Sequence, residues 1–246
     1  MTIIEEVALV ETPTVPMRTV IYRPQAEGTY PAIMLYSEIF QLTGPILRSA
    51  QTMAGHGFIV ACPEVYYDNL EAGTVLGYDD EGKVIGNDLK WDTPIESFDH
   101  GAQSLIKFLQ MQDYCSGKLG TMGFCLGGHL AFRAAFEPEI KACASFYGTD
   151  IHTGTLGKGK NCDTFERIGE LTAEMMMVWG RQDPHVPQEG RLKIYEELAS
   201  TGVNFTWHEF NAVHAFMRDE GERYNARLAR DCYGMAVELF NRTLKS

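Results

Sequence analysis

The sequence predicts an α/β fold, in which an open and mostly parallel sheet carries helices on both faces. Short apolar runs alternate along the chain with segments of helical length and composition, which is the pattern of repeated strand–helix–strand units. The chain has 246 residues, of which 45% are hydrophobic, and this is enough to bury one large core. We therefore expect one domain that spans residues 1–246.

The N-terminal elements follow from short sequence patterns. Residues 3–10 and 17–22 are β-branched runs separated by ETPTVP, which is typical of an antiparallel pair at the edge of a sheet. Residues 31–36, PAIMLY, predict a buried strand, and a helix over residues 45–55 ends at a glycine. A second continuous apolar strand follows at residues 58–62, so this unit begins the parallel sheet.

The rest of the chain repeats this alternation. The predicted strands are residues 118–124, 141–146, 174–179 and 205–209, and the predicted helices are residues 97–112, 129–136, 188–200 and 224–241. Residues 66–96 are expected to form the longest irregular segment, either a cover of the active site or a solvated loop. Ligands of parallel sheets bind beyond the carboxyl ends of the strands, so we expect the functional residues in the loops there.

Composition favours a small-molecule substrate over a polymer or a membrane. The 33 acidic and 21 basic residues give a net charge of −12, which repels nucleic acid and anionic lipid. No apolar run approaches the roughly 20 residues that cross a bilayer. The six cysteines have no CxxC spacing and the N-terminus does not resemble a signal peptide, so we expect a cytoplasmic protein with reduced thiols. The oligomeric state stays open.

Cys125 is the candidate nucleophile. The motif GFCLG, residues 123–127, matches Gly-x-nucleophile-x-Gly, a strand-to-helix turn so tight that only small residues fit beside the residue it presents. A thiol at the N-terminus of the following helix is favoured as the thiolate, and the backbone N–H of Leu126 would point at a developing oxyanion. A buried and unreactive cysteine is the alternative, and the motif alone leaves both open.

Asp183 and His214 are the candidate partners of Cys125. Each follows a predicted strand, and the chain order is nucleophile, acid, histidine, as in hydrolases with this elbow. His214 would exchange a proton with the thiol, and Asp183 would hold the imidazole in the required tautomer. Singly, Asp183 is also a good turn residue and His214 a plausible surface or core histidine. Their shared position at strand ends favours a Cys-His-Asp triad.

The sequence resembles the dienelactone hydrolase family of α/β-hydrolases, in which the elbow carries a cysteine. The resemblance covers most of the chain and lies in the segments SEIFQ, VACPEVYY, GFCLGG, SFYG, GRQDPHVP and HAFMR. It implies the α/β-hydrolase fold and hydrolysis of a small carboxylic ester or lactone through a thioester intermediate. It also implies that no metal or organic cofactor takes part.

The resemblance implies roles for three further residues. Glu38 matches a glutamate that hydrogen-bonds the resting thiol and takes part in forming the thiolate, and the backbone N–H of Ile39 completes the oxyanion hole. Arg218 matches an arginine that binds the substrate carboxylate, for which a guanidinium is suited by bidentate pairing. A solvated loop carboxylate at Glu38, and a surface arginine paired to Asp219 or Glu222, are the alternatives.

The sequence also departs from the family. The family member that acts on dienelactone has a second carboxylate-binding arginine after the VYY segment, whereas residues 66–96 here contain no arginine and eight carboxylates against Lys83 and Lys90. We therefore expect Arg218 to be the one cationic contact of an acidic pocket, which favours neutral or mono-carboxylate substrates. His129 and His185 are expected to be a packing residue and a loop residue rather than catalysts.

Two other functions remain open on the sequence. A non-catalytic ligand-binding module would keep the fold without the chemistry, and its Cys125 would not react with small electrophiles. A redox-sensing protein would need a resolving cysteine near Cys125, for which Cys143 is the candidate.

Overall fold

The computed structural model describes residues 1–245, so that Ser246, the last residue of the predicted domain, lies outside the described residues. Within the described residues, eight strands form one sheet. The strands are β1 Ile3–Val10, β2 Met17–Pro24, β3 Tyr30–Tyr36, β4 Ile59–Pro63, β5 Cys115–Phe124, β6 Ile140–Phe146, β7 Glu174–Gly180 and β8 Phe205–Phe210. The α-helices are α1 Gly44–Ala54, α2 Asp80–Asp92, α3 Ile95–Gln110, α4 Leu126–Ala134, α5 Gln188–Ser200 and α6 Ala226–Leu244.

The sheet is mostly parallel, as the sequence predicts. Its strand order is β1-β2-β4-β3-β5-β6-β7-β8. Strand β1 pairs antiparallel with β2 at one edge, with Val10 opposite Met17, and β2 pairs antiparallel with β4. All pairs from β4 to β8 are parallel. The carboxyl ends of β3, β5, β7 and β8 therefore lie at one edge of the sheet, which is where parallel sheets bind ligands.

The core consists of two apolar layers, one on each face of the sheet. Helices α1 and α6 bury residues such as Ile46 and Leu239 on one face, and α3, α4 and α5 bury residues such as Leu105, Leu130 and Ile194 on the other. Strand β4 is buried along its whole length, and this explains why its sequence reads as a continuous apolar run instead of an alternating one. No helix within residues 1–245 has the length and apolar character needed to span a membrane.

The prediction of an irregular segment over residues 66–96 is wrong, because α2 lies within it. Asp79 caps this helix with its side chain, which accepts a hydrogen bond of 2.7 Å from the backbone N–H of Gly82. Gly82 and Gly86 lie inside this helix and lower its intrinsic helix propensity, but the close packing of α2 requires them. The longest stretch without a strand or an α-helix is instead residues 147–173, which contains one 3₁₀ turn, Ile168–Glu170.

Candidate active site

Cys125 occupies a strained turn between β5 and α4. Its φ of 58° and ψ of −120° are rare for a residue with a side chain, and such strain is typical of a nucleophile elbow. A Cβ atom on Gly123 would lie 1.9 Å from the carbonyl oxygen of Gly127, and one on Gly127 would lie 2.2 Å from that of Tyr36. The turn therefore requires both glycines, and the Cys125 N–H donates to the carbonyl of Phe146 at 3.1 Å.

His214 and Asp183 meet beside this turn. They follow β8 and β7, and the His214 Nδ1 lies 2.6 Å from the Asp183 Oδ2. The other carboxylate oxygen accepts a hydrogen bond of 2.8 Å from the backbone N–H of His185, so both oxygens of the acid are held. The His214 ring also hydrogen-bonds the Cys125 thiol. The structure thus brings the three predicted residues into one chain of contacts, ordered Cys125, His214 and Asp183.

The groups around His214 raise the pKa of its imidazole. Burial lowers the pKa of His214, but the negative charge of the Cys125 sulfur and the hydrogen bond that His214 donates to Asp183 outweigh burial and raise that pKa to about 10. Burial works to raise the pKa of Asp183, and its hydrogen bond with His214 holds that pKa below its usual value. At neutral pH the imidazole is therefore protonated between a sulfur and a carboxylate.

Aromatic rings fix the orientation of the imidazole. The ring of Tyr147, which is fully buried, meets the His214 ring edge-on at 5.1 Å between centroids. The His185 ring meets it at 4.6 Å in a similar orientation. His185 is thus a neighbour of the site, and burial followed by the positive charge of His214 lowers its pKa.

Glu38 lies in the same cleft, after β3, and its hydrogen-bond partner there is Tyr78. Its Oε2 accepts a hydrogen bond of 3.0 Å from the Tyr78 hydroxyl, which in turn lies 2.6 Å from the hydroxyl of Thr43. Among residues 1–245 no hydrogen bond joins Glu38 to the thiol, which contacts His214 instead. Burial raises the pKa of the Glu38 carboxyl, against the opposing charge of Arg218. Glu38 is therefore not the solvated carboxylate of the alternative interpretation.

Arg218 is held by Glu38 and Tyr78 rather than by the acids beside it in sequence. Its guanidinium lies 3.8 Å from the Glu38 carboxylate and 4.2 Å from the centre of the Tyr78 ring. Asp219 pairs with Arg48 at 2.7 Å instead. The alternative of a surface arginine paired to Asp219 or Glu222 is thus wrong, and Arg218 lines the cleft.

Two backbone N–H groups near Cys125 are free to bind a ligand. Ile39 lies in the loop after β3, and Leu126 is the first residue of α4. Within residues 1–245 neither N–H donates a hydrogen bond. The first N–H groups of a helix have no partner in the helix itself and are favourable for a negative charge. Ile39 also lines the cleft that contains Cys125.

This cleft has a volume of about 400 Å³, contains Cys125 and His214, and is rich in charged side chains. Its acidic residues are Glu38, Asp79, Asp80, Asp150 and Glu222, and its basic residues are Lys83, Lys90, Arg218 and Arg223. The expectation of one cationic contact is therefore wrong. Helix α2 brings two lysines into the cleft, and the loop before α6 brings Arg223. Within residues 1–245 no group of three or more His, Cys, Asp or Glu side chains is arranged to hold a metal ion.

Comparison with known proteins identifies the family. The model of the dienelactone hydrolase family matches residues 17–244. The chain belongs to the dienelactone hydrolase family. A Saccharomyces cerevisiae protein, provisionally named a carboxymethylenebutenolidase, is 38% identical over 240 residues, which cover 93% of this chain and 88% of that protein. A carboxymethylenebutenolidase of Pseudomonas putida is 26% identical over 210 residues, covering 83% and 82%.

A solved structure shares the fold of this dienelactone hydrolase family member. The crystal structure of a Klebsiella pneumoniae protein, provisionally named a dienelactone hydrolase, matches with a TM-score of 0.83 and 19% identity. The match covers 98% of this chain and 100% of the other. The predicted α/β-hydrolase fold is thus confirmed. Membership of the dienelactone hydrolase family makes the protein a hydrolase of carboxylic esters or lactones.

Several residues of this family member's cleft are absent from the sequence-based prediction. Tyr78, Asp150 and Arg223 belong to no motif of the sequence, and Lys83 and Lys90 enter the sequence-based prediction only as charges. One available signal was Asp79 followed by two more acids, which is a typical helix start. It predicts α2 and so places the two lysines on one helix, but Asp150 and Arg223 depend on how distant loops fold together.

His129 is a buried packing residue and not a competing base. It is fully buried in α4, and its Nε2 lies 2.8 Å from the hydroxyl of Thr164. Burial lowers its pKa to about 4, so that it is neutral at physiological pH. The cleft of this family member therefore has His214 as its candidate base, with His185 as a neighbour.

Cys143 is too far from Cys125 to act as a resolving cysteine. It is fully buried in β6 and pairs in register with Thr121 of β5, four residues before Cys125. At about 3.3 Å per residue, four residues span roughly 13 Å, whereas a disulfide needs Cα atoms within about 7 Å. The geometry thus disfavours the redox-sensing alternative.

Proposed function

We propose that Cys125, His214 and Asp183 form the catalytic triad of this hydrolase and that the reaction passes through a thioester on Cys125. The observation that carries the proposal is the position of His214, whose ring bonds Asp183 at 2.6 Å on one side and the Cys125 thiol on the other. This is the arrangement by which a histidine activates a nucleophile while a carboxylate orients it.

The first half-reaction acylates the enzyme. The Cys125 sulfur attacks the carbonyl carbon of the ester or lactone, and the carbonyl oxygen takes up the negative charge. The free N–H groups of Ile39 and Leu126 are the donors for this oxyanion. When the tetrahedral intermediate collapses, the bond to the leaving oxygen breaks, and the protonated His214 gives that oxygen its proton. A thioester and an alcohol result.

The second half-reaction releases the acid. Water attacks the thioester carbonyl while His214, now neutral, takes the proton of that water. Collapse of the second tetrahedral intermediate breaks the carbon–sulfur bond and releases the Cys125 sulfur beside the protonated His214. The proton released by the carboxylic acid product goes to solvent, so that the cycle consumes one water and no other reagent.

Glu38 is proposed to take part in forming the thiolate. A buried carboxyl whose pKa is raised by desolvation is a better proton acceptor than an exposed one. Movement of Arg218 toward an anionic substrate would remove the cation that lies 3.8 Å away, and loss of that cation raises the proton affinity of Glu38 further. Substrate binding and thiolate formation would then be coupled.

The charges of the cleft favour an ester or lactone that carries a carboxylate. Asp150 pairs with Lys90 at 3.0 Å, and Glu38 accompanies Arg218. Lys83 and Arg223 have no ion-pair partner among residues 1–245 and are available to an anion, although Asp79, Asp80 and Glu222 of the same cleft have no ion-pair partner either. Relatives named as carboxymethylenebutenolidases are consistent with a substrate of this kind. We also propose that the protein acts in the cytoplasm, where a thiol nucleophile stays reduced.

The test is mass spectrometry of protein quenched during turnover of a p-nitrophenyl ester. Wild type is expected to carry the acyl mass on the peptide that contains Cys125, whereas Cys125→Ala keeps its fold and loses the acyl adduct and the activity. Cys232→Ala, at a buried cysteine far along the chain, is the control for loss of a thiol. Normal turnover in Cys125→Ala would exclude the triad, whereas a wild type without esterase activity, whose Cys125 does not react with small electrophiles, would favour the ligand-binding alternative.

A further inference from the structure

Helix α2 packs directly on the loop that follows β3. This loop contains Ile39, whose backbone N–H is one of the two proposed oxyanion donors. At Gly86 of α2 an added Cβ atom would lie 2.6 Å from the carbonyl oxygen of Ile39 and 3.0 Å from its Cβ. The first distance is shorter than real Cβ atoms show and the second is tighter than most of their contacts, so the approach of the two backbones depends on glycine at position 86.

The same glycine is held from its other side. Gly86 is buried, and its carbonyl accepts a hydrogen bond of 3.0 Å from the hydroxyl of Tyr66, a fully buried residue in the loop after β4. One turn earlier in α2, a Cβ atom on Gly82 would lie 2.1 Å from the carbonyl oxygen of Gly77. The two glycines stand four residues apart on one face of the helix and let α2 lie flat against its neighbours.

The segment that leads into α2 makes further contacts with the loop after β3. The backbone N–H of Leu76 donates to the carbonyl of Phe40 at 3.1 Å, on the residue next to Ile39. The Tyr78 hydroxyl donates to Glu38 at 3.0 Å, on the residue before it. Residues 38, 39 and 40 are therefore each contacted by residues 76–86, and the position of the Ile39 N–H depends on this segment.

We propose that α2 positions the oxyanion hole and that Gly86 is the positioning residue through which it does so. Gly86 touches neither the substrate nor the reacting atoms. It sets the distance between α2 and the Ile39 backbone, and thereby the direction of the Ile39 N–H. The inference rests on the proposed function, because it takes the Ile39 N–H as an oxyanion donor.

The proposal predicts which kinetic step depends on Gly86. An oxyanion forms only when an acyl carbonyl is attacked, so a displaced Ile39 N–H slows acylation by an ester. Alkylation of the same sulfur by iodoacetamide displaces iodide from a saturated carbon and forms no oxyanion. A change restricted to the oxyanion hole therefore separates the two reactions, whereas damage to the thiol or to the fold slows both.

The experiment compares Gly86→Ala with Gly234→Ala. Gly234 lies exposed in α6, and a Cβ atom there meets nothing within 4 Å, so it controls for a methyl group added to a helical glycine. For each variant we would measure kcat and KM for p-nitrophenyl acetate, the rate constant of Cys125 alkylation by iodoacetamide, and thermal unfolding by circular dichroism. Tyr66→Phe removes the hydrogen bond to Gly86 without adding volume and serves if Gly86→Ala does not fold.

For Gly86→Ala we expect kcat to fall about ten-fold or more, because small displacements of catalytic groups cost up to about a hundred-fold in rate. KM and the rate constant of alkylation should stay within about two-fold of wild type. Tyr66→Phe should show a smaller loss in kcat of the same pattern. A kcat equal to that of Gly234→Ala, or equal losses in esterase and alkylation rates, would overturn the proposal. Wild type that resists alkylation at Cys125 would overturn the proposed function instead.

Discussion

The Tyr78 hydroxyl donates a 3.0 Å hydrogen bond to the buried carboxylate of Glu38. The two residues are 40 positions apart in the chain, and their contact joins the segment before α2 to the loop after β3. The guanidinium of Arg218 also lies over the Tyr78 ring, 4.2 Å from the ring centroid. Tyr78 thus connects the two charged residues that the family resemblance implies for this cleft.

Replacement of Tyr78 by phenylalanine is expected to raise the pKa of Glu38 further, because the lost hydrogen bond lowers it. Loss of one partner of a buried, charge-assisted hydrogen bond is expected to destabilise the fold by about 1–3 kcal/mol. The measurements are urea unfolding and the acidic limb of kcat/KM against pH, which should move to higher pH. Tyr224→Phe, at an exposed tyrosine, is the control and should change neither. If the acidic limb does not move in Tyr78→Phe, the protonation of Glu38 does not control kcat/KM.

The triad residues are expected to act as a unit. Asp183→Asn removes the acceptor that orients His214, and His214→Ala removes the proton carrier, so each should lower kcat/KM by roughly 10³-fold or more. The double variant should be little worse than the poorer single variant, as shown by kcat/KM for one p-nitrophenyl ester across the three proteins. Losses that multiply would mean that the two residues act independently.

The raised pKa of His214 predicts a leaving-group-dependent pH profile. Since that pKa is about 10 in the folded protein, the imidazolium is present at neutral pH and is lost as the pH rises through about 10. An alkyl ester needs this proton for its leaving alkoxide, whereas p-nitrophenolate leaves without one. The ratio of kcat/KM for an ethyl ester to that for a p-nitrophenyl ester should therefore fall above pH 10.

A variant that weakens the ion pair checks this assignment. Asp183→Asn removes the charge that helps to raise the pKa of His214, so the fall in that ratio should move to lower pH. If wild type already loses its ethyl-ester activity near the ordinary histidine pKa of about 6.5, the pKa of His214 is not raised, and a ratio that does not change through pH 10 would mean that the imidazolium is not the acid.

The unpaired cations of the cleft predict selectivity for anionic esters. The double variant Lys83→Gln and Arg223→Gln is expected to raise KM for a carboxylate-bearing ester about ten-fold, which corresponds to about 1.4 kcal/mol, and to leave KM for a neutral ester of the same size unchanged. The control is the double variant Lys107→Gln and Arg227→Gln, which removes the same charge from exposed positions of α3 and α6. An equal rise in KM for both esters would mean that these two cations do not bind a carboxylate of the substrate.

The sequence by itself determined the alternation of strands and helices and therefore the sheet. Apolar runs such as PAIMLY can be satisfied only by burial, and the order of Cys125, Asp183 and His214 at strand ends follows once the strands are parallel. Local patterns also sufficed for the elbow at Gly123, because its close approach is to Gly127, four residues further along the chain. These features depend on neighbours in sequence or on the general geometry of a parallel sheet.

Only the tertiary structure decided what surrounds the thiol. Intrinsic propensity counts Gly82 and Gly86 against a helix, and the favourable term is the close packing of α2 on Ile39 and Gly77, which no local pattern contains. The same holds for the charges, since Arg218 pairs with Glu38 far away in the chain and not with the adjacent Asp219. Electrostatic energy depends on distance in space and on burial, and both are properties of the folded chain.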